Sequence, residues 1–115
     1  MIKIQRIYAL KETDTGYKIF IDRLWPRGIS KEKAIWDEWV KEISPSEELR
    51  KWFNHDPDKW EQFKQQYKSE LSLKYDSLLK LKQLEQTYGS LVLLYAAKDE
   101  IHNNACVLRD FLMAM

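Results

Sequence analysis

Two short stretches hold most of the side chains that can do chemistry. One is Asp22-Arg23-Leu24-Trp25-Pro26-Arg27-Gly28, and the other is Lys98-Asp99-Glu100-Ile101-His102-Asn103-Asn104. Each follows an apolar segment that reads as a strand, and ligands of open α/β sheets gather outside the carboxyl ends of the strands. If the two strands run parallel as neighbours, both stretches emerge at one sheet edge, where Arg23, Arg27, Lys98 and His102 converge. Cations there, together with the free N–H groups of a helix beginning near Asp99, make a site for a small anion. Asp22, at the end of a buried strand, then orients an arginine or acts as a base, and His102 is the second acid/base candidate. Trp25, Asp99 and Asn103 complete the ligand-facing set. His55, in Asn54-His55-Asp56-Pro57, is a further candidate at a corner between two helices.

Each of these residues also has a plainer reading. Asp22 and Arg23 fit a structural ion pair at a strand end equally well. Trp25 suits a core or pocket wall better than a stacking platform. Arg27 at a turn is consistent with simple solvation, and Asp99 is a helix cap first and a catalytic group second. A lone histidine in a first helical turn, as His102 is, more often serves structure than chemistry. A helix-joining corner accounts for His55 as well as a catalytic role does.

Other chemistries find no support in the sequence. Two histidines without carboxylates at ligand spacing do not make a metal site. Three glycines in all cannot build a Gly-rich phosphate loop, there is no Gly-x-Ser-x-Gly elbow, and no cofactor signature is present. Cys106 has nothing beside it to activate a thiolate.

The elements that must position these residues follow from periodicity. Residues 2–8 alternate apolar and polar, a strand signal. Asp14-Thr15-Gly16 marks a turn within residues 11–16. Residues 17–24 form a second strand with Tyr17, Ile19 and Ile21 on one face and Phe20 on the other. Pro26 and Gly28 end it. A short helix capped by Ser30 covers residues 30–34, and residues 36–43 read as a third strand, although Trp36, Trp39, Val40 and Ile43 also fit a helical face. Ser46, with Glu47 and Glu48 in the first turn, opens a helix to about Phe53. Asp56-Pro57 opens the next, which runs to about Leu71, and a third spans residues 75–87 and stops at Gly89. Residues 91–97 are a continuous apolar strand suited to the centre of a sheet. Asp99 caps the last helix, whose buried face is Ile101, Ala105, Leu108, Leu112 and Met115.

This order predicts an α/β fold: a compact three-layer domain over residues 1–115, with a mostly parallel sheet of about four strands flanked by helices and the C-terminal helix packed on the sheet. One conflict is built in. About eight residues join the first two strands, where a parallel crossover needs a dozen or more, so those strands pair as a hairpin or are parallel without touching.

Composition narrows the partners. The chain has 115 residues, 44% apolar and 13% aromatic, including five Trp and six Tyr, enough for one aromatic-rich core. Its 19 basic and 18 acidic residues are evenly spread between the two halves, so the basic excess of an extended nucleic-acid binder is missing. One cysteine suits a reducing compartment. No signal-like segment opens the chain and no apolar run approaches a membrane span. The expectation is therefore a cytoplasmic protein without a membrane partner.

The string Gly16-Tyr17…Asp22-Arg23-Leu24-Trp25-Pro26-Arg27-Gly28-Ile29-Ser30-Lys31 resembles the signature of the YeaO-like proteins, a branch of domain-of-unknown-function family 488. Asp37-Glu38-Trp39, Ser44-Pro45-Ser46-Glu47-Glu48-Leu49-Arg50-Lys51-Trp52-Phe53, His55-Asp56-Pro57, Trp60-Glu61-Gln62-Phe63 and Leu93-Leu94-Tyr95-Ala96-Ala97-Lys98-Asp99 with His102-Asn103 extend the likeness over nearly the whole chain. The resemblance implies a compact three-layer α/β domain. Longer relatives in the wider family place a cysteine at the end of the strand matching residues 91–95, and a Cys-His-Arg run in the helix that follows. Here those positions read Tyr95 and Asn103-Asn104-Ala105, which removes the basis for a thiol mechanism.

Three functions remain. The first is an enzyme or sensor for a small phosphate- or nucleotide-like anion. The second is a nucleic-acid-binding or regulatory module using Lys31, Lys33, Arg50, Lys51 and Lys59. The third is a homodimerising module using exposed Trp36, Trp39, Trp52 or Trp60.

Overall fold

The protein, seen as a computed structural model, is described over residues 1–11 and 14–115. Four strands make one sheet: β1 (Ile2–Arg6), β2 (Tyr17–Phe20), β3 (Glu38–Trp39) and β4 (Leu91–Tyr95). They lie in the order β1-β4-β2-β3, and all three pairings are parallel. The short link between β1 and β2 is thereby explained. The two strands are parallel but do not touch, because β4 inserts between them, pairing Ile4 and Ile19 to opposite sides of Leu93. β4 is the central strand, and every one of its five residues is buried.

Side-chain alternation divides the sheet into two faces. Ile2, Ile19, Ile21, Leu91, Leu93 and Tyr95 point to one side, where they pack with side chains of all four helices. These are α1 (Glu47–Phe53), α2 (Trp60–Ser72), α3 (Tyr75–Tyr88) and α4 (Asn104–Met113). Phe20, Val92 and Leu94 point to the other side, where Ile7, Leu10, Ile29, Trp36 and Trp39 cover them. The third layer is thus built from loops and single 3-10 turns. Aromatic rings give it substance: Trp36 stacks on Phe20 at 5.1 Å, and Trp25 meets Trp36 and Trp39 edge-on at 5.0 and 5.5 Å.

Helix ends follow their local chemistry. Ser46 caps α1, its hydroxyl accepting from the Leu49 N–H while Glu70 of α2 accepts from the Ser46 N–H and hydroxyl at 2.8 and 2.6 Å. Asp56 and Pro57 open a 3-10 turn leading into α2. Gly89, at φ 78°, ends α3 in the left-handed conformation that glycine adopts without strain.

Several expectations change. The segment 36–43 contributes only two strand residues, because Trp36 and Trp39 turn onto Phe20 and residues Lys41–Ile43 coil into a 3-10 turn. The first two strands stop at Arg6 and Phe20, though Ile21 still donates its N–H to Leu94. Ser30 precedes a 3-10 turn without capping it. Within the turn expected over 11–16, Glu12 and Thr13 lie outside the described residues. Asp99 does not cap the last helix. That helix begins five residues later, and its cap is Asn103, whose side-chain oxygen accepts from the Cys106 N–H at 3.1 Å. Ala105, Leu108 and Leu112 are fully buried as expected, but Ile101 lies before the helix and is 71% exposed, and Met115 lies beyond it.

The Asn103 cap gives a first test. Its Nδ2 also donates to the Asp99 carbonyl at 2.9 Å, and the residue is buried. Asn103→Ala should therefore cost about 1–2 kcal/mol in urea unfolding, at the upper end of cap losses. A loss indistinguishable from zero would show that α4 is held by its apolar face alone.

Candidate functional site

All strands being parallel, their carboxyl ends share one edge, and a cleft of about 1050 Å³ opens there. Arg6 closes β1 on it, Asp22 and Arg23 follow β2, and Ala96 to Asp99 follow β4. The far wall comes from the helical layer, through Ser44, Pro45, Arg50, Lys51, Phe53, Asn54, His55 and Phe63. All the residues singled out from the sequence, Asp22, Arg23, Trp25, Arg27, His55, Lys98, Asp99, His102 and Asn103, line this one cleft. The helix N-terminus expected to point its N–H groups there from Asp99 starts at Asn104 instead.

Asp22 is the most constrained group. Its Oδ2 accepts the Ala96 N–H at 3.0 Å and its Oδ1 accepts Asn104 Nδ2 at 3.1 Å, while its own carbonyl accepts Trp39 Nε1 at 2.7 Å. The carboxylate thus extends the β2–β4 ladder past its last backbone pair and ties it to α4. Burial raises its pKa above the usual 3.8, and the two donated hydrogen bonds only partly offset that. The structural ion pair with Arg23 does not form. Arg23 turns away and donates from Nε and Nη2 to the Pro45 carbonyl at 3.3 and 3.1 Å.

Asp99 closes a turn. Its Oδ1 accepts the N–H groups of Ile101 and His102, both at 2.9 Å, and its Oδ2 meets His102 Nδ1 at 2.9 Å. Those two backbone donors, with the imidazole, hold its pKa down to about 2. His102 is fixed by this contact and by the edge of Trp60, 5.2 Å away. Trp25 is a wall, its Nε1 donating to the Ile29 carbonyl at 2.5 Å while its ring packs on two other tryptophans. Arg27 and Lys98 are exposed, and the Arg27 carbonyl accepts the Tyr8 hydroxyl at 2.7 Å. Arg6 donates from Nε to the Ala97 carbonyl at 3.0 Å. Cys106 is buried, and burial pushes its thiol pKa up, which suits an inert side chain.

The electrostatic balance of the cleft is one-sided. Among the described residues it is lined by six cations, Arg6, Arg23, Arg27, Arg50, Lys51 and Lys98, against two carboxylates, Asp22 and Asp99. Lys51 pairs with Glu47, but no described carboxylate lies within ion-pair distance of Arg6, Arg23, Arg27, Arg50 or Lys98. Arg6, Tyr8, Arg50 and Lys51 were not assigned to this site from the sequence. Arg6 ends a strand at the same edge and was findable on that ground. Arg50 and Lys51 stand among charged helix positions that look alike in sequence. Among the described residues, no group of three His, Cys, Asp or Glu side chains is placed to hold a metal ion, and no helix is long and apolar enough to cross a membrane.

Comparison with known proteins agrees with the resemblance read from the motifs. The chain is 41% identical over 114 residues to a protein of Escherichia coli (strain K12) named "Uncharacterized protein YeaO", covering 99% of this chain and 98% of that one. It is 32% identical over 113 residues to the Mycobacterium tuberculosis (strain H37Rv) protein "Uncharacterized protein Rv3073c", covering 96% and 92%. No solved structure matches it. Residues 1–115 match the family described as "Inactive DUF488-N3 subclade", and the chain belongs to that family.

Proposed function

We propose that this protein is a cytoplasmic binding module for a small anionic ligand, of the phosphate monoester or nucleotide type, and that it binds without turning the ligand over. The observation that carries this reading is the cleft's charge: six cations against two carboxylates in a chain whose formal net charge is only +1. Arginines without carboxylate partners around a concavity are the usual means of holding phosphate and carboxylate groups. A cavity of about 1050 Å³ is also at the upper end of the range for small-molecule sites.

Binding without turnover is supported on the chemical side. Both carboxylates are already engaged, Asp22 by two donors and Asp99 by a turn and an imidazole. The strand end carries Tyr95, and Cys106 is buried, with burial pushing its thiol pKa up. The word "inactive" in the family's description fits the same picture.

Calorimetric titration with methyl phosphate, at low salt and at about 0.2 M salt, tests the proposal. The expected result is saturable one-to-one binding that weakens severalfold as the Debye length shrinks to about 7–8 Å. Absence of saturable binding at low salt would overturn the reading. Binding of oligonucleotides with a steep salt slope, and of no small anion, would replace it with the nucleic-acid alternative.

A further inference from the structure

The corner between α1 and α2 carries two consecutive non-glycine residues with left-handed backbone, Asn54 at φ 46° and His55 at φ 57°. Asn54 is accounted for: it is the C-cap of α1, its N–H donates to the Arg50 carbonyl, and asparagine is a common residue at such a cap. His55 is not accounted for in this way. Its φ is fixed between the α1 cap and the Asp56 N–H, which donates to the Phe53 carbonyl at 2.9 Å. Glycine would meet that demand without the penalty of about 1–2 kcal/mol that a Cβ brings in this region. Strain of this kind persists where a side chain is needed in a particular place. Here the side chain is an exposed imidazole on the wall of the same cleft that Asp22 lines.

Asp22 supplies the complementary half. Each of its oxygens takes one protein donor, from Ala96 and from Asn104. A carboxylate oxygen has two acceptor sites, so each oxygen can accept one donor more. No cation of the rim satisfies it.

Resting on the anion reading above, we infer that the ligand has two parts: a phosphate monoester head held by the rim cations, and a hydrogen-bond donor, hydroxyl or amine, seated between Asp22 and His55. A phosphate monoester matches the surplus because it carries nearly two charges at neutral pH. The seat then selects among phosphate esters, since an ester lacking a donor leaves Asp22 facing the cleft with its outer acceptor sites unused.

Three probes separate the parts: methyl phosphate, which has the head alone; ribose 5-phosphate, which adds hydroxyl donors; and O-phosphoethanolamine, which adds an ammonium. Titrated against the full chain, at least one donor-bearing probe should bind about tenfold or more tightly than methyl phosphate, and which one does so identifies the donor. In the His55→Gly protein that advantage should disappear while the melting temperature rises by a few degrees, because the strain is released. Asp22→Asn should also reduce the advantage. If methyl phosphate binds and neither donor-bearing probe binds better, the two-part inference is wrong and the anion reading stands. If no probe binds, both are wrong. An advantage that survives both substitutions, or a His55→Gly protein that is less stable, would place the donor seat elsewhere or show that the imidazole serves the fold.

Discussion

Asp22→Ala should lower the unfolding free energy by about 1–3 kcal/mol, and Asp22→Asn by much less. The aspartate joins the ends of β2 and β4 to the start of α4 through the Ala96 N–H and the Asn104 side chain. Alanine removes both acceptors at once. A donor left unsatisfied in a largely enclosed place costs about 1–3 kcal/mol, and water entering from the cleft relieves part of that for two donors. Asparagine keeps one acceptor for Ala96, and a flip of the Asn104 amide turns its oxygen towards the new Nδ2, so both contacts survive. Urea unfolding of the three proteins gives the comparison. Equal losses for alanine and asparagine would mean that charge, and not the pair of acceptors, is what the site needs.

The same residue makes stability depend on pH in a definite direction. Burial raises the Asp22 pKa above 3.8, so the folded protein holds this proton more tightly than the unfolded chain does. The contribution is therefore complete below the unfolded value and is lost as pH rises through the folded one. Thermal melts of wild type and Asp22→Asn at several pH values should show the asparagine variant gaining on wild type as pH rises above about 4. A constant difference would mean that the carboxyl is solvated as in the unfolded chain.

Why some of this could be read from the chain and some could not is visible in single residues. Continuous apolar character placed Leu91 to Tyr95 in a central strand, and the alternation of Tyr17, Ile19 and Ile21 against Phe20 placed the two faces of β2 correctly. Both signals come from burial, which acts on every residue of a strand. The parallel arrangement then put Asp22 and Lys98 at one edge. Asp99 misled because an aspartate that accepts the N–H groups two and three residues on looks the same whether a helix follows or a lone turn does. The true cap, Asn103, has the same chemistry four positions later. Trp36 and Trp39 misled for another reason. Their spacing fits a helix face and their β-propensity fits a strand, but ring packing on Phe20 and Trp25 decides, and that depends on residues far off in the chain. Arg23 shows the limit for ion pairs. Adjacent Asp and Arg side chains leave a strand end in opposite directions, so proximity in sequence gave no contact in space.

The double substitution Arg27→Glu with Lys98→Glu should weaken methyl phosphate binding by about 100-fold or more. The two side chains come from loops that follow different strands, β2 and β4, and both line the cleft. Neither has an ion-pair partner among the described residues, and both are exposed, so their replacement disturbs little besides the field inside the cleft. Stability should change by no more than about 0.5 kcal/mol per site. A hydrogen bond to a charged group is worth about 1.5–3 kcal/mol, so losing two, with repulsion in their place, corresponds to at least two decades of affinity. The control is Lys68→Glu with Lys80→Glu, the same net-charge change on exposed positions of α2 and α3 that do not line the cleft. Those changes should reduce affinity less than about threefold at 0.1 M salt, where charges farther away than about 10 Å are largely screened. If both pairs weaken binding equally, the anion responds to the charge of the whole surface and the cleft has no special part in holding it. If only the Arg27 and Lys98 pair does, recognition belongs to the edge where the ends of parallel strands bring separate stretches of chain together.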